Sequence, residues 1–369
     1  MKTGQPLYDQ HLQRILDVVA MKKTDRPPVV LNASAFCLKL AGGKLSDMVT
    51  DVEYGNDLVL KGMLALGDID GTEVAVDYPP ALSMMYLSPI KLPGRELPED
   101  TIWQVDERGM MTEEDYDTII NKGWDYFFIE FCKNRLGNLL DQMENFAQLA
   151  PRIVRKFTDA GIVYLTPTLA LLPFETLSGG RSMAKFNRDL HRMPDKVQAV
   201  MDIILEETVQ HLKGYIHNMN AFAVSIGAAR VAGNFLSLKD FNRFAWPYLK
   251  KLVEITVQEG AVAYLHLDLS WDRFLNYFLE LPKGKCIFST DSTTDIFKAK
   301  EVLQGHMCFT GDVPPTLLTL ATPDQVYKYS KRLVDEFAPI GFIMSSGCTT
   351  PYNAKPENVR AMISAALGK

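Results

Sequence analysis

The stretch AVAYLHLDLS (261–270) reads as a short buried strand that ends on His266 and Asp268. Three more apolar runs follow it: KCIFSTD (285–291), MCFTGDV (307–313) and GFIMSSGC (341–348). A helical pattern separates each from the next, so these are strand–helix units of a parallel sheet. In a parallel barrel the strand ends collect on one face, where chemistry is done. His266, Asp268, Asp291 and Cys348 then stand at matching strand ends. Imidazole, carboxylate and thiolate are the ligand types of zinc.

Upstream the pattern repeats. Residues 7–22 fit an amphipathic helix, and VVLNAS (29–34) a first buried strand. Residues 35–68 have helical periodicity. Residues 69–112, with DIDG, DYPP, SPIKLPG and RELPED, read as an excursion of hairpins and turns. Helices are expected over 113–158, 193–218 and 237–260, and strands at GIVYLTPT (161–168) and AFAVSIG (221–227). Ser178-Gly-Gly-Arg181 reads as a loop. The sum is seven or eight βα units. The expected fold is α/β, a (β/α)8 TIM barrel in one domain over 1–369, with an N-terminal helical and hairpin elaboration at about 1–112. A doubly wound sheet fits less well, because VVLNASAFCLKLAGG has no Gly-rich phosphate turn and no Walker A segment occurs.

Composition narrows the function. The net charge is −6 and no basic patch stands out, which argues against nucleic acid and anionic membranes as partners. The N-terminus lacks the apolar core of a signal peptide, and no window reaches transmembrane length. Five cysteines, odd in number and widely spaced, suit a reducing cytoplasm better than a disulfide frame.

Several segments resemble the uroporphyrinogen decarboxylase superfamily. FTGDVPPTLL (309–318) is similar to its GN-x-DP strand and turn, and SGCTTPYNAKPENVRAM (346–362) to its last strand and PxEN tail. FNRDLHRMPDKV (186–197) and FNRFAWPYLKKLVE (241–254) resemble two of its helices, and TDRPPVV (24–30) its start more weakly. The true decarboxylases carry an Arg-rich segment after the first strand that binds propionates. Here that stretch, LNASAFCLKLAG (31–42), has no arginine. Decarboxylation of a porphyrin with many carboxylates is therefore disfavoured.

The other branch, zinc methyltransferases that work with corrinoid proteins, carries His-x-Cys at one strand end and a Cys in the final strand. His266 and Cys348 match that pattern, while Asp268 replaces the middle Cys. Asp291 matches an acid position of the branch, Cys308 is an additional thiol, and Glu280 falls where related O-demethylase components carry an acid. The resemblance implies a Zn2+ site drawn from His266, Asp268, Asp291, Cys308 and Cys348, with His266, Asp268 and Asp291 as catalytic candidates. Asn32, Met84, Tyr86, Arg181 and Tyr352 are candidate substrate contacts. The corrinoid-binding DxHxxG segment is absent, so cobalamin would come in trans on a partner protein.

Each residue also has a plain reading. A buried His is more often a hydrogen-bonded core residue than a ligand, and a free Cys a small core hydrophobe. Asp291 would serve as the N-cap of the helix containing Ile296. Met84 and Tyr86 are ordinary core types.

The expected function is transfer of a methyl group from a small donor, an aromatic methyl ether among the candidates, to Co(I) of a corrinoid protein. With a carboxylate in place of one thiolate, the site is harder and leans toward an oxygen substrate. The alternatives are transfer from a methylcorrinoid to a thiol or tetrahydrofolate acceptor, and a metal-free decarboxylase of the same fold. The oligomeric state is open, a homodimer included.

Overall fold

The computed structural model describes residues 5–74 and 76–369. Its parallel strands are β1 (Val30–Leu31), β2 (Gly71–Thr72), β3 (Val163–Tyr164), β4 (Thr168–Leu171), β5 (Ala223–Ala228), β6 (Val262–Leu267), β7 (Cys286–Thr290), β8 (Cys308–Val313) and β9 (Phe342–Ser346). They form two ladders in strict sequence order, β1-β2-β3 and β4 through β9. The ladders share one chain segment, since β3 and β4 are separated only by Leu165-Thr166-Pro167. Leu165 N–H still bonds the carbonyl of Thr72 at 2.9 Å, but Pro167 has no N–H to continue the ladder. On the far side a parallel bridge joins Val29 to Met344, and Met344 N–H bonds Pro28 O at 2.8 Å. Eight strand positions thus run around a ring of the (β/α)8 type, closed by that one bridge.

Side-chain alternation sorts the strands into two layers. Tyr264, Ile287, Cys308 and Ile343 turn into the ring and pack with Val30, Val163 and Leu165. Leu265, Leu267, Phe288, Phe309 and Phe342 turn out, against the helices. Ile15, Val18 and Val19 of the helix Gln5–Val19 join the inner cluster and plug the end of the ring where the strands begin. Each such fully buried apolar side chain contributes about 1.5–3 kcal/mol. Asp70, fully buried at that end, takes hydrogen bonds from Arg14, Arg26 and the N–H of Val29, which sets the start of β2 against β1.

Two expectations are corrected here. Residues 69–112 do contain an antiparallel pair, Ile90–Lys91 with Gln104–Val105, but they begin with the second barrel strand. It is only Gly-Thr long, too short to show a period. Gly71 is required there, because a Cβ would lie 2.7 Å from the Val163 carbonyl oxygen. The Ser178-Gly-Gly-Arg181 segment is not a loop; it lies inside the helix Pro173–Arg181, started by Pro at its first position. Gly179 lets that helix pass Tyr86, whose carbonyl oxygen would be 2.4 Å from a Cβ. No helix among the described residues is long and apolar enough to cross a membrane.

Candidate metal centre and its cavity

His266 is the inward residue near the end of β6, with Asp268 the next inward position beyond it. Cys348 follows β9 by two residues. The ring brings the three together: one ligand atom from each lies within 4.8 Å of the others. His266 Nε2 is 3.9 Å from Cys348 Sγ and 3.7 Å from an Asp268 carboxylate oxygen.

The backbone around the ligands is bent and tied. Leu269 and Cys348 both sit at φ 64°, left-handed for non-glycine residues. Trp271 Nε1 donates to the Asp268 carbonyl at 2.9 Å. Gly347 packs on the next strand end, where a Cβ would lie 3.0 Å from Asp291 and Ser292 backbone atoms. Ser346 Oγ donates to the Cys348 carbonyl at 2.8 Å, and Thr350 N–H bonds Asn32 O at 2.7 Å. The turns that aim Asp268 and Cys348 are therefore braced independently of any ligand.

A fourth group was missed by sequence reasoning. Glu73, just beyond β2, is buried, and its Oε1 lies 3.3 Å from His266 Nδ1. Its other oxygen accepts from Asn32 Nδ2 at 3.0 Å and Tyr264 OH at 3.1 Å, and Tyr264 OH also pairs with Ser289 Oγ at 3.0 Å. The Nδ1 itself has no well-aligned hydrogen bond. Burial alone would disfavour an imidazolium, but the Glu73 charge and the contacts with Cys348 win, and the His266 pKa is raised well above its ordinary value. Burial works against ionised Glu73, yet His266, Asn32 and Tyr264 hold its pKa below the usual range. Burial raises the pKa of Asp268, and nearby Asp291 adds to this.

The residues fit a divalent metal. Nitrogen, sulfur and carboxylate donors in a set of three, all within 4.8 Å of one another, are the donor types and number that a catalytic zinc site uses. The His266 ring presents Nε2 to the other donors and Nδ1 to a carboxylate, the usual arrangement for a metal-binding histidine.

Other expected ligands lie elsewhere. Register ties Tyr264 to Ile287 and Ile287 to Cys308, so Cys308 sits two residues below His266 along the strands, about 7 Å deeper. It is fully buried among apolar side chains, which push its thiol pKa up, and the reading of Cys308 as a ligand is withdrawn. Asp291 is at its strand end, but its oxygens accept from the N–H groups of Leu269 and Thr293, both at 2.8 Å. It braces the Asp268 turn instead of joining the cluster, and the helix cap expected of it belongs to Asp295. Glu280 pairs with Lys250 at 2.7 Å on the outside.

The cluster opens into a cavity of about 700 Å³. Asn32, Tyr86 and Tyr352 line it. Met84 instead faces a neighbouring apolar groove of about 550 Å³ lined by Trp124, Phe128 and Tyr215. Arg181 reaches neither. Its guanidinium is buried against Asp189 at 2.7 Å and the Met111 carbonyl at 2.7 Å, which makes it a structural ion pair. The cavity also holds Asp77 and Glu175, whose carboxyls are pushed up by burial to about 6 and about 7.

A barrel with an inward N/O/S donor cluster at the strand ends defines the class of protein. More particularly, the chain belongs to the uroporphyrinogen decarboxylase (URO-D) family, whose model matches residues 172–367. That match carries His266, Asp268 and Cys348 but not Asn32 or Glu73. Uroporphyrinogen decarboxylase of Geotalea daltonii is 26% identical over 186 residues, 50% of this chain and 52% of the relative. The human enzyme is 24% identical over 201 residues, 53% of each. The matched part thus spans about half the length of these curated relatives. A methyltransferase from Methanosarcina mazei shares the fold along nearly the whole chain, with a TM-score of 0.69 over 97% of this chain and 98% of that one, at 15% identity.

Proposed function

We propose that this protein moves a methyl group from a small methyl donor, an aromatic methyl ether foremost, to the Co(I) of a corrinoid carried by a partner protein. The observation that carries the reading is the convergence of His266, Asp268 and Cys348 at the mouth of the ring. These residues would hold Zn2+, which when bound supplies Lewis acidity toward the donor oxygen. Glu73 orients the imidazole, and the Asp291 and Gly347 contacts hold the two ligand-bearing turns in place. The cavity walls would hold the donor, and the cobalt must come within bonding reach of its methyl carbon. In the overall transfer the carbon–oxygen bond breaks with its electron pair left on oxygen, which takes a proton from solvent. Co(I) supplies the pair for the new cobalt–carbon bond and becomes formally Co(III).

Porphyrin decarboxylation is disfavoured by the same cavity, because its described lining contains no arginine or lysine to receive propionates. The test is zinc analysis of the purified chain, together with spectroscopic detection of methylcobalamin when cob(I)alamin and a methoxyarene are added. Absence of bound zinc under both as-purified and reconstituted conditions sinks the proposal.

A further inference from the structure

We infer that the donor taken by this cavity is uncharged, an aromatic methyl ether without a carboxylate or other anionic group. The inference rests on the methyl-transfer reading above and narrows its substrate class.

The lining carries it. Four acidic side chains face the space, Glu73, Asp77, Glu175 and Asp268, and no lysine or arginine does among the described lining residues. Arg230 stands behind the lining: its guanidinium lies over the Tyr86 ring at 5.3 Å and pairs through one nitrogen with Glu107 at 2.9 Å, while its buried Nη1 has no hydrogen-bond partner. An anionic substituent would leave water for a buried space whose described lining has no lysine or arginine to pair with it. The environment already resists negative charge, since burial lifts both Asp77 and Glu175 well above the ordinary carboxylate range. A divalent ion at the cluster would be charge-compensated by its own ligands, Asp268 and Cys348, with no surplus to offer a substituent across the cavity.

The remaining walls suit a flat neutral ring. Tyr86, Tyr164 and Tyr352 face the cavity, and Tyr78 and Phe146 stack on each other at its edge, ring centres 4.8 Å apart. Aromatic faces bind a neutral arene by area and offset stacking. The Tyr hydroxyls satisfy a phenol or ether oxygen without demanding charge.

The experiment is calorimetric titration of the full chain, zinc-loaded and metal-free, with 2-methoxyphenol and with 4-hydroxy-3-methoxybenzoate. The neutral compound is expected to bind at least tenfold more tightly in both forms. Tyr352→Arg, in the loop beyond β9, should narrow or reverse that preference, with circular dichroism confirming that the variant is folded. Equal or tighter binding of the benzoate to the unaltered chain overturns the inference, as does failure of 2-methoxyphenol to bind at millimolar concentration. Neutral preference without any methyl transfer to cob(I)alamin would sink the proposed activity while leaving the charge selectivity of the cavity standing.

Discussion

The Nδ1 of His266 lies 3.3 Å from Oε1 of Glu73, although two strand positions of the ring separate them in sequence. The carboxylate is held on its other side by Asn32 and Tyr264, so it acts on the ring from a fixed place. Through that contact the second strand sets the orientation of a ligand on the fifth strand position of the ring.

Glu73→Gln should weaken zinc binding by about ten- to a hundredfold, the usual cost of losing such a partner. The measurement is competition with a chromophoric chelator. The same variant should need a lower pH to block metal uptake, because the raised His266 pKa owes part of its shift to the Glu73 charge. Unchanged affinity and pH dependence would show that Glu73 only fills space.

Ligand and non-ligand thiols should separate cleanly. His266→Ala, Asp268→Ala and Cys348→Ser are each expected to lose bound zinc, whereas Cys308→Val should retain it. Cys308→Ser should also keep zinc but lose about 1–3 kcal/mol of stability, because its hydroxyl would be buried among apolar side chains. Elemental analysis beside urea unfolding reads both. Zinc loss in Cys308→Val would place the site deeper in the ring than the geometry does.

Glu175 gives a pH signature. Its folded pKa is about 7 against an ordinary 4.5, so the folded chain keeps a proton that the unfolded chain releases. The sign follows from linkage: its contribution is most favourable below 4.5 and declines as pH rises to about 7. Glu175→Gln should remove that decline, gaining about 3 kcal/mol over the wild type across the interval. The Gln oxygen can still accept the Arg230 N–H, seen at 2.7 Å. Parallel stability–pH curves for the two proteins would contradict this.

Arg181 is expected to matter for folding alone. Asp189 is fully buried and depends on Arg181 and Tyr116 for its hydrogen bonds. Arg181→Met should cost about 3–5 kcal/mol by leaving that charge unpaired, and a second change, Asp189→Leu, should recover part of it. Zinc content should not change in the folded fraction. A stable Arg181→Met protein that has lost substrate binding would restore the substrate role read from the sequence.

The strands β5 through β9 were legible because they are apolar runs between helical patterns, and strand-end position then pointed to His266, Asp268 and Cys348. The second strand was not legible. Asp70-Gly-Thr-Glu73 reads as a turn, because its strand character comes from Val29, Leu31 and Val163 on either side. Glu73 was lost with it. Arg181 misled for the opposite reason: two preceding glycines signal a loop, but here they let a helix pass close to Tyr86 and Met111.

Local sequence by itself determined the parallel βα order and the residue types at the strand ends, since these depend on periodicity and neighbouring residues. Tertiary structure alone decided which of those strand-end groups share a point in space. Register put Cys308 one layer too deep, backbone N–H groups claimed Asp291, and closure of the ring set Glu73 behind His266. Those outcomes rest on pairings across long sequence separations, which no local pattern encodes.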